Sequence, residues 1–162
     1  SAFMLYVDGV RTDGMVITLP DVEQVLRMNI KDGYALQQAV KKGNHRSIIS
    51  GGNSASVRKR LNTLGITEIN LGCKNKVEVF EKLQKKLGLK KEEILYMGDD
   101  IPDYKVMQQV GFAACPNDAA EEIKSVSDYI SSKKGGEGCV RDLIEQVLKL
   151  HGKWFDEDSF EW

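Results

Sequence analysis

Apolar residues fall in two alternating patterns along this chain. RSIIS (Arg46–Ser50), EINL (Glu68–Leu71), EILYM (Glu93–Met97) and FAAC (Phe112–Cys115) are short, nearly continuous runs, as strands buried on both faces are. Between them, DGYALQQAVKK (Asp32–Lys42), NSASVRKRLNTL (Asn53–Leu64), NKVEVFEKLQKKL (Asn75–Leu87) and PDYKVMQQV (Pro102–Val110) space their apolar positions like one face of a helix. Several of these segments open on Asp or Asn, whose side chains cap the free N–H groups of a first turn. Gly43, Gly65, Gly88 and Gly111 each close a helical segment and precede a strand, at spacings of 22, 23 and 23 residues. Glycine suits the position past a helix end because it takes the left-handed conformation without steric cost. Strand, helix and glycine in repeated order predict right-handed crossovers and a doubly wound parallel sheet covered on both faces. A leucine-rich solenoid has a similar period but needs an L-x-x-L-x-L strand in every repeat, and none is present.

Two pieces stand outside the alternation. GMVITLPDVEQVLRMN (Gly14–Asn29) reads as a β-hairpin turning around Pro20–Asp21. GKWFDEDSFEW (Gly152–Trp162) reads either as a frayed acidic, aromatic tail or as a segment that docks on a neighbour. We therefore expect one domain over residues 1–152 and a tail over 153–162.

A chain of 162 residues with 41% hydrophobic and 29% charged content buries a core without staples. A net charge of −1 and a pI near 6.1 exclude a protein held to nucleic acid by phosphate contacts. Cys73, Cys115 and Cys139 are far apart and odd in number, the expectation for reduced, mostly buried thiols in the cytoplasm. No apolar run approaches the ~20 residues that cross a bilayer, so no membrane partner is expected.

The informative chemistry lies where strands end, because the crevice of a doubly wound sheet opens there. VDGVRTDG (Val7–Gly14), ISGGNS (Ile49–Ser54), LGCKNK (Leu71–Lys76) and MGDDIPD (Met97–Asp103) all follow apolar runs. In MGDDIPD, Asp99, Asp100 and Asp103 repel one another unless a hard cation compensates; the same segment also reads as a capped helix start. A calcium hand is excluded because Val110 stands where its bidentate Glu would be. Ser50 and Gly51 offer a hydroxyl and a backbone N–H to an anion, and Lys76 offers a charge. Two histidines, His45 and His151, are too few for a His-rich metal site or a convincing Ser-His-Asp arrangement. P-loop and dinucleotide-binding glycine motifs are absent. GGEGCVR (Gly135–Arg141) reads as a capping loop before the last helix.

Together VDGVRTDG, ISGG, GCKNK, MGDDIPD and GGEGCVR resemble the haloacid dehalogenase-type phosphatases. The likeness runs from about Phe3 to Gly152 and is greatest to the 3-deoxy-D-manno-octulosonate 8-phosphate phosphatase family, with its relatives acting on sialic-acid-type sugar 9-phosphates. The resemblance implies a Rossmann-like fold with a hairpin after the first strand, no cap domain, and a homotetramer whose neighbouring hairpins close each site. It implies a Mg²⁺-dependent phosphomonoesterase acting on a small sugar phosphate through an aspartyl-phosphate. By resemblance Asp8 is the acid/base and lends its carbonyl to the metal, Ser50 holds a phosphoryl oxygen and Lys76 balances its charge. Asp99 ligates Mg²⁺, supported by Asp100, while Thr12, Asp13, Gly51, Arg60 and Asp103 belong to the substrate side.

The family begins its first motif D-x-D-G, and this chain reads Tyr6-Val7-Asp8-Gly9. The attacking aspartate is replaced by a phenol, which is neutral at pH 7 and a poor nucleophile. Arg11 occupies a usually apolar site, Val22 replaces a turn glycine, and Asn44-His45 precede a strand where apolar residues are common. Two functions follow: a sugar-phosphate phosphatase impaired at Tyr6, or a catalytically silent oligomeric interaction module of the same fold. A phospho-acceptor signalling domain ranks last, because Ser50 stands where its acceptor aspartate would be.

Overall fold

A computed structural model describes residues 2–20 and 24–161. Strand β1 (Ala2–Leu5) is followed by the hairpin strands β2 (Ile17–Thr18) and β3 (Gln24–Val25). Helix α1 (Ile30–Lys41), β4 (His45–Ile49), α2 (Ala55–Thr63), β5 (Glu68–Asn70), α3 (Lys76–Leu87) and β6 (Ile94–Met97) continue the alternation. The chain closes with α4 (Tyr104–Met107), β7 (Phe112–Cys115), α5 (Glu121–Ser125), β8 (Tyr129–Ile130) and α6 (Cys139–Leu150). Six parallel strands form one sheet in the order β5-β4-β1-β6-β7-β8, and β2–β3 form a separate antiparallel pair. The chain winds outward from β1 to β4 and β5, then crosses back to β6, so the reversal of direction lies beside β1.

Alternation along the strands divides the core. Phe3, Leu5 and Ile48 pack with Leu36, Leu61 and Leu143 of α1, α2 and α6. Met4 and Ile49 pack with Phe80, Val106 and Ile123 of α3, α4 and α5 on the opposite face. Both faces are covered, which is why the strands read as continuous apolar runs.

Three of the four periodic glycines behave as the spacing predicts: Gly43, Gly65 and Gly88 lie at φ 77°, 77° and 63°. Gly111 does not. A side chain there would begin 2.5 Å from the Glu92 Cα, and its N–H donates to the Lys91 carbonyl at 2.8 Å. Glycine is needed at that point for close approach of two backbone segments, not for a left-handed turn. The helix expected over Pro102–Val110 is shorter than its pattern: a 3₁₀ turn at Ile101–Asp103 leads into only four α-helical residues. Helix α1 starts at Ile30, capped by Asn29 Oδ1, which accepts from the Lys31 N–H at 2.8 Å; Asp32 lies inside it. The expected hairpin turn, Pro20–Asp21 with Val22, falls largely outside the described residues.

Residues 154–161 lie on the chain's own α1 and α6. Trp154 is 9% exposed, edge-on to Tyr34 at 6.2 Å, with the Arg141 guanidinium 4.4 Å over its ring. The Tyr34 hydroxyl donates to the Ser159 carbonyl, Lys41 Nζ donates to the Glu161 carbonyl at 2.8 Å, and Lys42 Nζ pairs with Asp156 and Asp158. Neither expected fate of the tail, frayed or lent to a neighbour, describes this intramolecular strap; Trp162 lies outside the described residues.

The N-terminal departure at Arg11 is buried, 1% exposed, with Nε and Nη1 lacking partners among the described residues. Burial pushes its guanidinium down to about 10, opposed by the nearby Asp32 and helped by Arg60. Asp32 is fully buried; its Oδ1 accepts the Arg141 N–H at 2.7 Å and its Oδ2 has no partner. Burial raises Asp32 to about 6, against the pull of the Arg141 N–H and of the Arg11 and Arg141 charges. An unfolded aspartate titrates near 4. Between about pH 4 and 6 the folded state therefore keeps a proton that the unfolded chain has lost, and stability from this group falls as pH rises. Urea unfolding of Asp32→Asn and the unmodified chain at pH 4 and pH 7 should show the difference. The unmodified chain is expected to lose up to about 3 kcal/mol relative to the variant across that window. Parallel pH profiles would show that Asp32 ionises normally.

Candidate functional site

The carboxyl ends of β1, β4 and β6 and the loop after β5 meet at one edge of the sheet. The loop after β1 is wound tightly: the Val7 carbonyl accepts from the Arg11 and Thr12 N–H groups at 2.9 and 3.1 Å. The Tyr6 N–H donates to the Met97 carbonyl at 3.1 Å, tying this loop to the end of β6. Gly9, at φ 70°, brings the two loops into contact, since a side chain there would begin 1.8 Å from Asp99 Oδ2. Gly135–Arg141 buttresses the same loop, with the Gly136 N–H and Cys139 Sγ both donating to the Val10 carbonyl, at 2.9 and 3.1 Å.

Asp8, Ser50, Lys76, Asp99 and Asp103 come together around Tyr6. Ser50 is buried; its Oγ donates to Asp8 Oδ2 at 3.2 Å and accepts the Gly52 N–H at 3.2 Å. Lys76, at the first turn of α3, is 5% exposed and donates to Asp103 Oδ1 at 2.6 Å. The same ammonium lies 3.4 Å from the centre of the Tyr6 ring. The Tyr6 hydroxyl reaches across to within 4.0 Å of where a side chain at Gly51 would begin. Burial, then the charges of Asp8, Asp103, Asp99 and Asp100, push this phenol far above its ordinary pKa, so it holds its proton throughout the working range.

Asp103 anchors the cluster. It is fully buried, and besides Lys76 its carboxylate accepts from the Tyr96 hydroxyl at 2.6 Å and the Asp99 N–H at 3.3 Å. Tyr96 is a functional neighbour that no motif marks; the one signal in the sequence is a tyrosine inside the apolar run EILYM, whose hydroxyl needs a partner once buried.

Asp99 Oδ1 is buried without a partner, and burial followed by Asp103 and Asp100 pushes its carboxyl up to about 7. A desolvated carboxylate among like charges fits a hard divalent cation, which removes both penalties. Asp100 is more exposed and caps the following 3₁₀ turn, its Oδ1 accepting the Ile101 N–H at 2.8 Å, so the helix-start reading of that residue is also realised. Among the described residues no three carboxylate, histidine or cysteine side chains gather into a ready cation cage. The phenol of Tyr6 stands where a further carboxylate would contribute.

The remaining candidates are occupied elsewhere. Thr12 is fully buried, and its Oγ1 accepts from the Gly9 and Gly14 N–H groups at 3.2 and 3.3 Å, fastening the loop. Asp13 accepts the Met15 N–H at 3.0 Å and pairs with Arg27 at 2.9 Å, joining loop to hairpin; these two partners hold its carboxyl below the usual range. The Arg60 guanidinium lies against Gly33 of α1, 3.1 Å from where a side chain there would begin. Gly51 remains at the site and, with Tyr6, Lys74, Lys76, Pro102 and Tyr104, lines a cleft of about 660 Å³.

A family model described as haloacid dehalogenase-like hydrolase matches residues 62–143. The chain is 35% identical over 150 residues to the 3-deoxy-D-manno-octulosonate 8-phosphate phosphatase KdsC of Escherichia coli K12, covering 93% of this chain and 80% of that one. It is 34% identical, with the same coverage, to KdsC of Salmonella typhi. Among solved structures, the Moraxella catarrhalis enzyme of that name, in complex with magnesium, phosphate and KDO, superposes with a TM-score of 0.92 at 35% identity, covering 98% of this chain and 90% of that one. The cobalt-bound Haemophilus influenzae protein superposes with a TM-score of 0.92 at 27% identity, covering 98% and 94%.

Proposed function

Because the chain belongs to the haloacid dehalogenase-like hydrolases, in the 3-deoxy-D-manno-octulosonate 8-phosphate phosphatase family, we propose that it is a Mg²⁺-dependent sugar-phosphate phosphatase whose turnover is suppressed at Tyr6. Its substrate in this reading is a phosphorylated 3-deoxy-2-keto sugar acid, first of all 3-deoxy-D-manno-octulosonate 8-phosphate. The observation that supports it most is the meeting of Asp8, Ser50, Lys76 and Asp99 at one edge of the sheet. Asp8, Asp99 and Asp100 would hold the Mg²⁺, which neutralises phosphoryl charge when bound. Ser50 and the Gly51 N–H would hold phosphoryl oxygens, and Lys76 would offset their charge. With a carboxylate at position 6 to accept the phosphoryl group, Asp8 would give its proton to the leaving sugar alkoxide as that P–O bond breaks, then take one from the water that displaces phosphate from the carboxylate. The missing part is the carboxylate that attacks phosphorus. A phenol that keeps its proton cannot replace it. The test is phosphate release by the chain and by Tyr6→Asp, side by side, with Mg²⁺.

Tyr6 also favours the second reading, a catalytically silent oligomeric module, which turnover by the chain as it stands would end. Both readings share a homotetramer. Support comes from the hairpin, where Met15, Val16, Ile17, Leu19 and Val25 are exposed together. Light scattering should give about four times the 18.1 kDa chain mass; a monomer would remove the assembly from both readings. A cytoplasmic setting is supported by three free cysteines, two of them buried. Among the described residues no helix is long and apolar enough to cross a membrane.

A further inference from the structure

A phenol at the position of a carboxylate changes the shape of the site as well as its chemistry, because the larger side chain has to go somewhere. The Tyr6 ring leaves the end of β1, passes under the Lys76 ammonium at 3.4 Å and points its hydroxyl towards Gly51. Lys76 and the Ser50–Gly51 turn are the groups that would grip a phosphoryl oxygen in the reading above, and the ring lies between them. Both are already engaged. The Lys76 ammonium has three N–H groups; one goes to Asp103 at 2.6 Å, and the Tyr6 ring centre lies 3.4 Å from the same nitrogen. The Ser50 hydroxyl donates to Asp8 rather than towards the cleft.

We infer that Tyr6 is a specificity determinant: its ring and hydroxyl occupy the part of the cleft between Lys76 and Gly51 where a phosphoryl group would sit, and close that part to phosphate while the cleft beside it stays open, beyond removing the nucleophile. This rests on the assignment of Ser50 and Lys76 to phosphate. Tyr6 thereby separates two capacities that one aspartate would supply together. A small residue at position 6 opens the subsite without restoring chemistry. An aspartate opens it and restores attack.

The test titrates inorganic phosphate into the full chain and its variants in the presence of Mg²⁺, read by calorimetry and by ³¹P line width. Tyr6→Ala is expected to bind phosphate at least about tenfold more tightly than the unmodified chain, the scale of one regained charge-assisted hydrogen bond. Tyr6→Phe keeps the ring and should stay within about twofold of the unmodified chain. Tyr6→Ser serves as a second space-opening variant should Tyr6→Ala fail a thermal-melt check of folding. Equal phosphate affinity in the unmodified chain and the small variants overturns the inference, as does a Tyr6→Phe that binds like Tyr6→Ala. The family activity is judged separately. If Tyr6→Ala gains phosphate but Tyr6→Asp releases none from the sugar phosphate, the closed subsite stands and the substrate assignment falls. If Tyr6→Asp turns over while the small variants gain no affinity, the reverse holds.

Discussion

Tyr6→Asp is expected to raise Mg²⁺-dependent phosphate release from 3-deoxy-D-manno-octulosonate 8-phosphate by at least about 10³-fold over the chain as it stands. Removing the nucleophile of a hydrolase costs on the order of 10⁶ in kcat in subtilisin, which bounds the gain from above. Two effects act in the same direction here. The carboxylate supplies the attacking oxygen that a phenol held protonated by burial and four acidic neighbours does not. It also adds a negative ligand beside Asp99, whose buried Oδ1 has no partner. One effect opposes them: until a cation binds, the new carboxylate is repelled by Asp8, Asp103, Asp99 and Asp100, the acids whose charges act on the Tyr6 phenol. Release by the variant alone would mark the chain as a disabled phosphatase. Comparable release by both proteins would show that another group attacks phosphorus.

Asp103→Ala is expected to cost about 3–5 kcal/mol of stability, the scale of breaking a buried ion pair by removing one partner. The carboxylate is fully buried and holds Lys76 Nζ, the Tyr96 hydroxyl and the Asp99 N–H at once. Its removal strands a cation that is 5% exposed together with a buried hydroxyl. For a chain of this size the melting temperature should fall by roughly 10 °C. Asp103→Asn keeps an acceptor for Tyr96 but removes the charge facing Lys76, and should lose less. A cost below about 1 kcal/mol for Asp103→Ala would mean that Lys76 finds another partner, the Tyr6 ring being the nearest.

The doubly wound sheet was legible because its strands are buried on both faces and its helices on one, so two periodicities alternate. The observed strands β4 to β7 fall within one residue of the apolar runs at either end, and Asn75 caps α3 as its position suggests. Strand β8 carries no sequence signal because it is two residues long at the sheet's edge, too short for any periodicity. The helix expected over Pro102–Val110 keeps a helical pattern but yields only four α-helical residues, after a 3₁₀ turn whose last residue, Asp103, faces Lys76 and Tyr96. Arg11 looked like a local departure; burial beside Asp32 makes it part of the core's electrostatics.

Strand-exit positions mark Asp8, Ser50, Lys76 and Asp99 in the sequence, because a parallel sheet delivers every strand's end to the same edge. Period and residue type determine that much. They do not determine which way a side chain turns once it arrives. Thr12, Asp13 and Arg60 lie in the expected segments, yet the first two are taken up by the loop and hairpin and the third by α1. The tail's two aromatic clusters told nothing of where it would dock, because its partners Tyr34, Lys42 and Arg141 are more than a hundred residues away or on another helix. The sequence by itself determined the sheet, the edge where the polar residues meet, and the replacement of a carboxylate by Tyr6. Only the tertiary structure decided that the phenol lies across Lys76 towards Gly51, because that choice depends on packing and desolvation among groups brought together from four separate loops.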